Sequence, residues 1–116
     1  MTLPDALYLR HMLEAVERVM EVTAKTTKDQ FEREWMIQDA LIRELEVLGE
    51  AAGRVTPELT ASHTEIPWRE ITGLRHKLIH DYFVVATDVV WDTATVDVPG
   101  VRPLLIALLE QVAGQE

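Results

Sequence analysis

Arg75, His80 and Tyr82 lie in the stretch "GLRHKLIHDYF", residues 73–83, in the spacing R-x-x-x-x-H-x-Y, with His76 and Lys77 between the first two. Side chains of these types can cleave RNA without a metal. Histidine titrates near neutrality, so it can take a proton from a ribose 2′-hydroxyl or give one to the leaving oxygen. A guanidinium can bind the phosphate and stabilise the charge that grows in the pentavalent transition state. By chance this spacing arises less than about once in a hundred chains of such length. The plainer alternative makes Arg75 a surface salt-bridge partner, His80 a hydrogen-bonded residue at a helix end and Tyr82 a partly buried aromatic.

On a regular helix Arg75 and Tyr82, seven residues apart, would lie about 20° apart, whereas Arg75 and His80 would diverge by about 140°. Either the helix distorts between them, or a second copy across a two-fold axis completes the site. Two copies would supply two histidines and two arginines, enough for a base, an acid and a clamp. His76 and His80 are spaced i,i+4, as in helical zinc sites. Lys77 replaces the glutamate such enzymes use as a base, and a third ligand is not identifiable, so no metal is expected.

The elements that must position these residues read as helices. Residues 4–24 carry Ala6, Leu9, Leu13, Val16 and Met20 at intervals of three and four, an amphipathic pattern that leaves His11 on the surface. A second helix should start near Thr27, with Gln30 completing a capping box, and run through Phe31, Trp35, Ile37, Leu41, Leu45 and Leu48 to about Arg54. Its last turns, "GEAAG", are small enough for another helix to approach closely.

Residues 55–66 lack periodicity and read as the main loop. A third helix over 67–82, with Pro67 in its first turn, would carry Trp68, Ile71, Leu74, Leu78 and Ile79 inward. A short helix is expected over 88–95, capped by Thr87, and a last one over 101–113. The valine-rich run 84–91 could pass for a strand, but no second strand is evident to pair with it. The expected fold is all-α, an antiparallel bundle of four to five helices in one domain.

The chain has 116 residues, no cysteine and a formal net charge of -9. Disulfides, thiolate nucleophiles and cysteine metal sites are thereby excluded. Charged residues throughout the first twenty leave no apolar run for a signal peptide or membrane span, so a cytoplasmic location is expected. The acidity is concentrated in residues 1–53 and 81–116. Residues 54–80 hold four Lys/Arg against three Asp/Glu, together with three of the four histidines. RNA would therefore have to be held by a local cluster against an unfavourable overall field. The apolar content of 47% and three tryptophans suggest a self-associating face and a homodimer.

The order of parts adds a resemblance. "IPWREITGLRHKLIHDYF" followed by "VVWDTATVDVPGVRPLLIALL", with "QDALIRELEVLGEAAGRV" and "LRHMLEAVERV" upstream, resembles the HepT toxins, a branch of the HEPN helical superfamily, over essentially the whole chain. That resemblance implies a homodimeric, metal-independent ribonuclease in a two-gene toxin–antitoxin system, of the type VII kind, without a cofactor. It implies that Arg75 and His80 form the catalytic pair in a cleft between subunits. Tyr82, at the rim of the RNA site, would be the tyrosine to which a MntA-type minimal nucleotidyltransferase antitoxin attaches AMP. Where the family usually has asparagine after the motif arginine, this chain has His76, which with Lys77 is a possible auxiliary group. The alternative is a non-catalytic HEPN nucleotide-binding or protein-interaction module, in keeping with the acidic charge.

Overall fold

The computed structural model describes residues 4–81 and 84–115, with the side chains of residues 80, 81 and 84 outside the description. The fold is all-α, as expected, with one very short hairpin added. Its order is α1 (Asp5–Ala24), α2 (Lys28–Arg33), α3 (Trp35–Gly53), α4 (Pro57–Ser62), α5 (Trp68–Thr72), α6 (Leu74–Leu78), β1 (Ile79–Asp81), β2 (Val84–Val85), α7 (Thr87–Asp92), a π-helical turn (Thr93–Asp97) and α8 (Val98–Ala113).

Helix α1 is the central element and packs chiefly on α3 and α8. Ala6, Leu9 and Val16 are buried as their periodicity requires, and Met12, Ala15 and Val19 widen that stripe. Leu13 and Met20 lie at its edge, half-buried. Two contacts fix α1 and α3 as antiparallel. At one end the Asp5 carboxylate accepts hydrogen bonds from the Thr56 N–H at 3.0 Å and the Thr56 hydroxyl at 2.7 Å. At the other, Arg18 faces Glu44 at 3.8 Å.

The Thr27–Gln30 capping box is present: each side chain accepts from the other residue's N–H at 3.1 Å. The helix it starts is nevertheless not continuous to Arg54. Glu34 is extended (φ -116°, ψ 102°), and the Gln38 side-chain amide donates to the Phe31 carbonyl at 2.9 Å, occupying an acceptor at the end of α2. The break turns Trp35 outward to 66% exposure, so this tryptophan is not core. Phe31 is fully buried and packs against Trp91, with ring centroids 5.2 Å apart.

The small turns of α3 serve the close approach their composition suggests. A Cβ added at Gly49 would meet the Ile71 carbonyl oxygen at 2.9 Å, so glycine lets α5 lie against α3. Residues 55–66 are not simply a loop, because Pro57 stands in the first turn of α4 with Thr56 as N-cap. The Trp68 indole N–H donates to the His63 carbonyl at 2.9 Å and ties the exit of α4 to the entry of α5. Pro67 precedes α5 as its N-cap and is not inside it.

The expected helix over 67–82 is the largest departure. It divides at Gly73 and ends at Leu78, where Ile79 becomes extended (φ -126°, ψ 112°). Ile79 then pairs with Val85 in an antiparallel hairpin, and the Ala86 N–H donates to the Leu78 carbonyl at 2.9 Å. Rejecting a strand at Val84 and Val85 was therefore wrong. The partner is local, and the β-branched residues on both sides favour the extended state. Helix α7 begins at Thr87 after Ala86, without a side-chain cap, and runs through the π-helical turn into α8. Pro99 and Pro103, each lacking an N–H, are carried within that path instead of ending it.

Candidate functional site

Arg75 projects from α6 with its side chain 77% exposed, and its Nε lies 3.7 Å from Oε2 of Glu46 on α3. The exposure leaves the guanidinium free to exchange a carboxylate for a phosphate. The contact with Glu46 is itself the surface salt bridge of the plainer alternative. His80 has left the helix: its backbone belongs to β1. The 140° divergence calculated for a regular helix therefore does not apply, and of the two remedies considered, distortion of the helix is observed within one chain. The continuous helical face needed for an i,i+4 histidine pair is likewise interrupted at Ile79. Tyr82 lies outside the described residues.

His76 and Lys77, the possible auxiliary groups, are exposed but point to different surroundings. Lys77 is 3.7 Å from Asp97 at the end of the π-helical turn. His76 shares with Arg75 the rim of a trough of about 600 Å³ that α1 and α3 enclose. From α1 the trough receives Tyr8 and His11, whose rings meet edge to face with centroids 6.4 Å apart. From α3 come Arg43, Glu46 and Glu50, and from its C-cap Arg54.

Arg54 is held by Glu50, whose Oε1 accepts from both Nε at 3.1 Å and Nη2 at 2.9 Å. That hydrogen bond and the charge of Glu50, with a smaller contribution from Tyr8, push the Arg54 guanidinium above its ordinary range. The cation persists at any working pH. In a chain of net charge -9, three arginines and two histidines thus converge around two glutamates in one concavity.

The sequence reading missed Tyr8, Arg43, Glu46, Glu50 and Arg54, and treated His11 as plain surface. A signal existed on α3, where 43, 46, 50 and 54 recur at helical spacing opposite the buried Leu41, Leu45 and Leu48. What the sequence lacks is the antiparallel packing that brings residues 8 and 11 beside that stripe. Among the described residues no group of three or more His, Asp or Glu side chains is arranged to hold a metal ion. No helix among them is long and apolar enough to cross a membrane.

Comparison with known proteins places the chain in a family. A protein of Thermococcus cleftensis named "Probable ribonuclease HepT" is 39% identical over 95 residues, 82% of this chain and 86% of the relative. A candidate RNase of Caldanaerobacter subterraneus is 32% identical over 104 residues, 90% of this chain and 93% of the relative. A Methanocaldococcus jannaschii protein named as a gamma-glutamylcyclotransferase and candidate RNase is 33% identical over 106 residues. This chain spans only 48% of the length of that last relative. No solved structure matches the chain. Residues 12–108, which include Arg75, His80 and most of the trough, match the family described as ribonuclease HepT-like, and the chain belongs to that family.

Proposed function

We propose that the protein is a metal-independent endoribonuclease toxin, acting as a homodimer, in a two-gene system of the HepT/MntA kind. The observation that carries this reading is Arg75, exposed at the rim of an arginine-lined trough and five residues before His80, in a chain of the HepT-like ribonuclease family. Arg75 binds the scissile phosphate and stabilises the charge of the pentavalent transition state. His80 transfers a proton to or from the reacting oxygens, and the second copy supplies the partner acid or base. His76 is an auxiliary group at the same rim. The partner antitoxin silences the site by attaching AMP to Tyr82: the phenol oxygen bonds to the α-phosphorus of ATP and pyrophosphate leaves. The added phosphate excludes RNA by bulk and like-charge repulsion.

Purified protein incubated with RNA in EDTA should cut it, and Arg75→Ala and His80→Ala should each slow cutting by at least about 100-fold. Equal activity in wild type and both variants would sink the assignment. Binding of RNA without any cleavage would favour the non-catalytic module.

A further inference from the structure

The trough extends well beyond Arg75, and its far end is built for more than a single phosphate. Glu46, the neighbour of Arg75, and Arg54, the residue that caps the C-terminus of α3, are eight residues apart, about 12 Å of helix rise. At a stacked rise of about 3.4 Å per nucleotide, that length accommodates roughly three nucleotides. Sequence-tolerant binding of single strands combines cations along the backbone path with aromatic rings on which bases stack. Both occur here: Arg54 is fixed by Glu50, and Tyr8 stands beside it with its ring edge to face against His11.

We infer that this trough is a subsite for the single-stranded RNA flanking the cut, in which Arg54 holds a phosphate about three nucleotides from the scissile one and Tyr8 carries a base. The inference deepens the ribonuclease reading and rests on it for the polarity of the strand relative to Arg75. Glu50 sets the specificity of the far end. It keeps Arg54 in place and disfavours doubly charged terminal phosphates, so an internal phosphodiester is preferred there.

The test uses the full chain carrying His80→Ala, in EDTA, with fluorescein-labelled oligouridylates of two to eight nucleotides, read by anisotropy. Affinity should rise at least tenfold between two and five nucleotides and then level off. Adding Arg54→Ala with Glu50→Ala, so that no unpaired carboxylate remains, should remove most of that rise and lower the salt slope by about one phosphate contact. Tyr8→Ala should reduce the rise, and Tyr8→Phe, which keeps the ring, should restore it. An unchanged length dependence in the Arg54/Glu50 variant, with its helical circular dichroism intact, would overturn the subsite. Failure of the ribonuclease reading is separately visible, because wild type would then bind the five-mer with the same length dependence and leave it uncut.

Discussion

The Arg75 guanidinium and the Glu46 carboxylate face each other at 3.7 Å across the gap between α6 and α3, with Arg75 the more exposed of the two. A pair this open contributes at most about 1 kcal/mol to stability. Under the proposed function its consequence is for binding, because an RNA phosphate arriving at Arg75 would meet the negative charge of Glu46 beside it. Glu46→Gln should therefore tighten binding of a five-nucleotide RNA about threefold near 0.1 M salt, roughly 0.6 kcal/mol. The gain should vanish near 1 M salt, where the screening length falls to about 3 Å. Weaker binding by this variant in an anisotropy titration would show instead that Glu46 is needed to orient Arg75.

Gly49 controls how closely α5, the helix just before α6, lies against α3. The Cβ of an alanine there would stand 2.9 Å from the Ile71 backbone oxygen, so α5 must shift, and backbone yields less easily than a side chain. Gly49→Ala should cost about 1–3 kcal/mol and lower Tm by at least about 4 °C. Gly100 on α8 has nothing within 4 Å of the added Cβ, and alanine there should stabilise by up to about 1 kcal/mol. Thermal melts of the two variants should move in opposite directions; parallel shifts would refute the packing argument.

The legible parts of the fold were those decided locally. Thr27 and Gln30 form their capping box because both partners lie within one turn. The stripe on α1 and the small turn at Gly49 likewise follow from spacing and size. The misreadings cluster where short segments compete. Ile79 and Val85 suit a strand or a buried helix equally well by composition, and the hairpin prevails because its partner is only a few residues away. The gap expected between a helix over 88–95 and one over 101–113 is instead helical, wound through the π-helical turn at Thr93–Asp97. Arg75 and His80 stand out as candidates by type and spacing, and the structure places the Arg75 side chain and the His80 backbone. The trough was not legible, since Tyr8 and Arg54 meet only through the antiparallel packing that Asp5 and Thr56 secure.

The proposed modification of Tyr82 gives a prediction that mass, and not cleavage alone, can read. Co-expression with a neighbouring nucleotidyltransferase should add one or more AMP masses to the wild-type chain. Tyr82→Phe should remain unmodified and still arrest growth. Peptide mass spectrometry that places AMP on another residue would remove the regulatory claim and leave the nuclease claim intact.

Thr93 opens the π-helical turn, is 2% exposed, and its hydroxyl has no hydrogen-bond partner among the described residues. A helical threonine ordinarily turns its hydroxyl to the carbonyl one turn back, as Thr95 does toward Trp91 at 2.7 Å. Thr93 instead buries a polar group without that return. Replacing the hydroxyl by a methyl group keeps the branched shape and removes the cost of desolvation, so Thr93→Val should stabilise by about 1 kcal/mol. Tm should rise by about 4 °C, since a change of this size moves a chain of such length by a few degrees. Thr95→Val, which loses a made hydrogen bond, should lower Tm or leave it unchanged. If Thr93→Val instead melts earlier than wild type, the hydroxyl is hydrogen-bonded in solution. The unusual winding would then be a feature that the threonine helps to hold in place.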